Sequence, residues 1–266
     1  MTESDGERLK RDCNAAAEFW RLVFGGLSCV AYRRHGAQAF HQVRVGVLGH
    51  HQTGHYREGL RKLGIRDEEP PAVAAAKYHY LSNSLGGLSL QYIEESPRKV
   101  WLRYLGPMWT FQGLALLALP ASMRRSDFTA WHPNNGLYMG CPRLAWVLTK
   151  SISEGDPYDE GYFIETDHDL TTDAQRMRYE TVSSTPEWDP VRQPVLDPDL
   201  WPVARRMKVL RRFSGGYVQS SVSVLCKLFG EREAAGIVSE TMSLLAAQFT
   251  AECAEQAGVR GHGAQT

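Results

Sequence analysis

The stretch His50-His51-Gln52-Thr53-Gly54-His55-Tyr56-Arg57-Glu58 groups several side chains able to move protons or ligate metals. His51 and His55 are four residues apart, so on a helix they project from one face, and Glu58, three further on, joins them. At about 100° per residue, Val43, Val47, His50, His51, His55 and Glu58 fall in one broad sector, so an apolar stripe leads into a polar cluster. Such a histidine pair with a carboxylate can hold zinc, iron or copper, which makes His51, His55 and Glu58 candidate metal ligands. The same groups can serve as acid and base, because histidine titrates near neutral pH. They also fit a structural role, with histidines offsetting the dipole at a helix end. The H-E-x-x-H glutamate of metalloproteases is absent.

Asp167-His168-Asp169 is a second candidate: carboxylates flanking a histidine at a strand end can orient it at a pocket rim, or simply cap the next turn. In Tyr78-His79-Tyr80 at most two side chains can point inward, and a core tyrosine with a bonded hydroxyl accounts for the segment. The aromatic series Trp101, Tyr104, Trp109, Phe111, Phe128 and Trp131 can line a pocket for an apolar ligand or form the core. No nucleophile elbow, P-loop or dinucleotide fingerprint is present.

The elements that must position these residues follow from periodicity. Ala17, Trp20, Val23, Phe24, Leu27 and Val30 recur at helical spacing from about Gly6 to His35, with Gly36 as a stop. A second helix runs from Ala37 to Leu63, closed by Gly64 at the C′ position. A third starts at Pro71 and reaches about Leu81. The period then changes to two: Leu88, Leu90, Tyr92 and Val100, Leu102, Tyr104 flank Ser96-Pro97-Arg98-Lys99 as a β-hairpin. Gly113 to Met123 reads as a short helix, and Asp127 as the cap of another through Trp131. A second hairpin joins Leu144–Ser153 to Tyr162–Thr166 across Glu154-Gly155-Asp156-Pro157. Residues 181 to 202 are rich in proline, aspartate and serine, and two long helices follow, Pro202–Phe229 and Glu231–Gly258. The expected architecture is one α+β domain, with long helical hairpins at both ends packed on a small antiparallel sheet of two β-hairpins. Its segments are 1–82 helical, 83–170 hairpins and short helices, 171–201 an irregular linker, and 202–259 a C-terminal helical hairpin.

Lys plus Arg equals Asp plus Glu, 30 each, so no excess of cations is available to neutralise a phosphate backbone, and nucleic acid is not an expected partner. The runs Arg205-Arg206 and Arg211-Arg212 read as solvated helix faces. Five cysteines without a C-x-x-C pair indicate neither a zinc ribbon nor a disulfide framework and suit a reducing compartment. The polar N-terminus does not read as a signal peptide, and the most apolar run, Gly113 to Ala121, is too short to span a bilayer. The expectation is a cytoplasmic protein without a membrane partner, able to form a homodimer through its long helices.

The order hairpin, short helices, then a hairpin turning at Glu154-Gly155-Asp156-Pro157-Tyr158, with long helices before it, resembles the vinyl-4-reductase domain. It is similar, too, to the related L-2-amino-thiazoline-4-carboxylic acid hydrolases. Members carry a Gly-Asp-Pro-Tyr-like turn before the last strand, usually followed by a cysteine. Gly155, Asp156, Pro157 and Tyr158 match that turn, whereas Asp159 stands where the cysteine would be. The likeness covers about residues 20 to 166, mostly by layout. It implies an enclosed small-molecule site between helices and a curved antiparallel sheet, serving a C–N or similar hydrolase or a ligand-sensing module.

Two functional expectations result. The first is a hydrolase-like enzyme on a small organic molecule, with His51, His55, Glu58, Asp167 and His168 catalytic and Trp101, Tyr104, Trp109, Trp131 and Tyr158 binding substrate, with no cofactor or with a transition metal. The second is a non-catalytic small-molecule-binding sensor, with a haem or metal carrier as a further alternative.

Overall fold

A computed structural model describes residues 4–106, 120–256 and 258. The fold is α+β. Helix α1 (Asp5–Lys62) begins in a capping box, the Ser4 hydroxyl accepting from the Glu7 amide while the Glu7 carboxylate accepts from the Ser4 amide. It is kinked at Gly36, whose φ of 81° lies in the left-handed region. Two further long helices, α6 (Val203–Phe229) and α7 (Glu231–Gln256), meet at Gly230, which also has φ of 81°. Between them lie α2 (Pro71–Leu85), β1 (Leu90–Ser96), β2 (Lys99–Leu105), α3 (Ala121–Trp131), α4 (Asn135–Met139), β3 (Leu144–Lys150), β4 (Tyr158–Glu165), α5 (Asp173–Arg176) and β5 (Met177–Tyr179).

The chain divides into two compact units, one built from the residues through Val43 with those from Pro202 onward, the other from Arg44 to Trp201. In the first, α7 runs antiparallel to the start of α1. Gly26 lies against Thr241, and the Arg34 guanidinium binds both Glu233 and Glu240 at 2.8 Å. Helix α6 lies alongside through Phe24 stacked on Tyr217.

The second unit holds the sheet, in the order β1-β2-β4-β3-β5. Both expected hairpins form, and their second strands pair antiparallel, so β4 is central. The expected small antiparallel sheet of two hairpins is corrected to a mixed, five-stranded one, because β5 adds parallel to β3. Three residues are too few to show alternation, and β5 is delivered by a one-turn helix with its own capping box, Thr172 with Gln175. Likewise, α3 starts at Ala121 behind Pro120, so Asp127 is an internal residue of that helix and not its cap. The expected helix over Gly113–Met123 lies mostly outside the described residues.

Alternation sorts the sheet into two faces. Tyr104, Asp159, Gly161, Phe163 and Trp146 point to the face packed by α2 and by the turn His132–Asn134. Trp101, Tyr162, Val147 and Ile93 cluster on the other. That second face is strapped by the irregular segment after β5: Arg103 bonds Glu160, Thr185 and the Pro186 carbonyl, and Tyr162 bonds Glu180. The Gln193 side-chain amide pairs with both backbone groups of Tyr92, closing the free edge of β1 as another strand would.

Gly161 occupies the centre of β4, paired on both sides, under the Trp146 indole. A Cβ there would sit 2.5 Å from the Val147 carbonyl oxygen and 2.5 Å from Trp146 Cζ2. Gly161→Ala is therefore expected to cost about 3 kcal/mol, the upper end for overpacking, read as a lower urea midpoint. An unchanged midpoint would show that the indole has room to move aside.

Candidate functional site

The buried seam of α1 does not follow the straight sector expected from Val43 and Val47. It runs in steps of four through Phe40, Arg44, Leu48, Gln52, Tyr56 and Leu60, all buried. Each such step advances about 40° around the helix, so the seam has moved well round by the third turn and leaves His51, His55 and Glu58 outside it. The His51 and His55 rings are neighbours, 5.6 Å apart, as their spacing required. His55 and Glu58 are exposed, and Glu58 pairs with Lys62 at 2.8 Å, which holds its carboxyl below the usual range.

The other expected site residues are dispersed. Asp167 and His168 are exposed beyond the end of β4, and Asp167 pairs with Arg98 of the first hairpin turn at 2.6 Å. Trp101 packs on Tyr162 on one face of the sheet, where Tyr158 also points, accepting from Lys150. Tyr104 and Trp131 belong to the other face, so the sheet separates the expected substrate-binding aromatics into two groups. Trp109 lies outside the described residues. Among the described residues no group of three or more His, Cys, Asp or Glu is placed to hold a metal ion.

What α1 buries instead is a chain of polar groups. Gln52 Nε2 donates to the Trp131 carbonyl and to Asn135 Oδ1, each at 2.7 Å. Asn135 Nδ2 donates to His79 Nε2 at 2.7 Å, which requires the unprotonated ring nitrogen. His79 stacks on His132 at 4.0 Å between centroids, and His132 Nε2 meets the Tyr104 hydroxyl at 2.9 Å. Burial pushes His79 down to about 3, against the opposing Asn135 bond, and pushes His132 well below its ordinary value, with His79 adding to the effect. Both rings are neutral at physiological pH, enclosed by Trp146, Phe163 and Phe128. The histidine in Tyr78-His79-Tyr80 is thus buried beside Tyr78, an inward pair that the core-tyrosine reading only half contains.

An open cleft of about 500 Å³ lies at the C-terminal end of α1. Gly64, at φ 76°, makes the C′ stop expected from the sequence. The Ile65 amide bonds the Leu60 carbonyl and the Gly64 amide bonds that of Arg61, the two bonds of a Schellman motif, which brings Ile65 back toward Leu60. The Trp201 indole donates to the last α1 carbonyl, that of Lys62. Leu60, Ile65, Ala74 and Met139 give the cleft an apolar wall. Arg57, Arg61 and Arg66 give it three guanidinium groups.

No family model, no curated protein and no solved structure matches the chain. The cleft is therefore read from its own chemistry. Arg57 Nε donates to the Tyr138 carbonyl at 2.7 Å, fixing that side chain against α4. Among the described residues the Arg61 and Arg66 guanidinium groups have neither hydrogen-bond nor ion-pair partner. Of the two lining carboxylates, Glu69 is taken by Lys77 at 2.6 Å, leaving Asp67 as the remaining counter-charge. Pro71, where α2 starts, also lines the cleft, and the helix has no side-chain cap and no acidic residue in its first turn, so its amide end adds positive potential. The sequence does carry a signal for this site: arginines four apart just before the C′ glycine, a third two residues beyond it, and a helix start lacking its acidic cap. It is easily passed over, because cations near a helix C-terminus also serve the helix dipole.

Proposed function

We propose that the chain is a small-molecule-binding protein whose ligand is an organic anion, seated in the cleft between the end of α1, the start of α2 and α4. The observation that carries this reading is the pair Arg61 and Arg66, two guanidinium groups with no hydrogen-bond or ion-pair partner among the described residues, in a cleft that also has an apolar wall. Its volume of about 500 Å³ suits a small organic molecule. Arginine stays charged at any physiological pH and cannot act as a base, so the lining favours holding an anion over acid–base turnover. The reading agrees with the ligand-sensing role that the resemblance to the vinyl-4-reductase domain implies.

Charge-assisted hydrogen bonds contribute about 1.5–3 kcal/mol each, so Arg61→Ala with Arg66→Ala is expected to weaken binding of a small aromatic anion by a hundredfold or more. Isothermal titration of wild type and variant with benzoate and phenyl phosphate measures this. Both side chains are exposed, so the variant keeps its melting temperature. Equal affinity in a folded variant would overturn the assignment.

A further inference from the structure

Resting on that reading, we infer that the ligand is a phosphate monoester, bound as the dianion through its phosphoryl group with its organic part on the Leu60–Ile65–Met139 wall. The inference comes from the local charge. Among the described residues lining the cleft, Arg57, Arg61 and Arg66 are accompanied by one uncommitted carboxylate, Asp67, because Glu69 is neutralised by Lys77. The neighbouring Glu58 is in the same way neutralised by Lys62. Two positive charges are left over, and a dianion matches them where a monoanion leaves one unopposed. The arrangement also matches the shape of the group. A phosphoryl head carries both charges on one tetrahedron with three acceptor oxygens, and the cleft offers three guanidinium groups with an uncapped helix start beside them. A dicarboxylate would have to spread its charges along the cleft toward the apolar wall. Arg57 is already oriented by the Tyr138 carbonyl, so one of the three donors is held in place before the ligand arrives.

The test compares phenyl phosphate, phenyl sulfonate and phthalate on the full chain by isothermal titration at pH 7.5 and pH 5. The phosphate is a dianion at the higher pH and largely a monoanion at the lower, since its second ionisation lies near 6. Phenyl sulfonate is singly charged throughout and controls for effects of pH on the protein. The expected result is that phenyl phosphate binds at least tenfold tighter than phenyl sulfonate at pH 7.5 and loses about tenfold at pH 5, while phenyl sulfonate changes little. Arg61→Ala with Arg66→Ala should abolish the difference between the two ligands. If the sulfonate binds as tightly as the phosphate, or phthalate binds more tightly, the phosphate assignment is overturned while the organic-anion reading stands. If none of the three binds, the organic-anion reading itself fails.

Discussion

Asp127→Ala is expected to destabilise the sheet-bearing unit by about 3–5 kcal/mol, the cost of breaking a buried ion pair from one side. Arg44 and Asp127 are both almost completely buried, and Arg44 Nε donates to Asp127 Oδ1 at 2.6 Å. A guanidinium cannot shed its proton to escape a low-dielectric site, so removing the carboxylate takes a counter-charge away from a buried cation between α1 and α3. Replacing both partners, Arg44→Met with Asp127→Ala, removes the charge together with its counter-ion and should recover much of the loss. Chemical denaturation of the two variants separates the cases. A single variant within about 1 kcal/mol of wild type, or a double variant no better than the single, would show that the pair does not hold α1 to α3.

The second large effect is loss of stability in mild acid. His79 and His132 are neutral in the folded protein because burial holds both below their ordinary values, His79 at about 3. Once unfolded, each takes up a proton near pH 6.5. Below that pH the unfolded state therefore binds more protons than the folded one, and stability falls as pH falls from about 6.5 toward the folded value. The slope is about 1.4 kcal/mol per pH unit for His79, so lowering the pH from 6.5 to 4.5 should cost on the order of 2–3 kcal/mol from that ring, and His132 acts in the same direction. His79→Gln keeps a partner for Asn135 and removes one titrating group, so its unfolding free energy should fall less steeply over the same window. Identical slopes would mean that the histidines are not the groups responsible.

These two predictions rest on residues that pattern reading is least able to place. Amphipathic periodicity assumes that the buried side of a helix is apolar. On α1 two of six seam positions, Arg44 and Gln52, are polar, each made tolerable by a partner from a segment that lies about 80 residues away in the chain: Asp127 for Arg44, Asn135 and the Trp131 carbonyl for Gln52. With those two positions scored as solvent-facing, the stripe from Val43 and Val47 extrapolates directly to His51 and His55. The histidine pair is adjacent, as four-residue spacing demands, but it lies off the seam. The dispersal of Trp101, Tyr104, Trp131 and Tyr158 has an equally simple origin, since neighbouring strand positions face opposite ways, and one face is covered by α2 and the turn after α3 while the other is covered by the irregular segment after β5.

By itself the sequence determined the elements whose causes are local. Gly36 and Gly64 end or bend helices because they accept positive φ, Pro71 starts one because its missing amide proton costs nothing there, the first hairpin follows from period-two runs around turn residues, and the second from the turn Glu154-Gly155-Asp156-Pro157. Tertiary structure decided what depends on distant partners. It decided the pairing of β2 with β4, the parallel addition of β5, the burial of Arg44, Gln52 and His79, and the convergence of Arg57, Arg61 and Arg66 with Tyr138 around one cleft. The physical reason is that a polar side chain has no fixed preference for core or solvent until the groups that satisfy it are in place, and for these residues those groups arrive only with the folded sheet and the segment from α3 to α4.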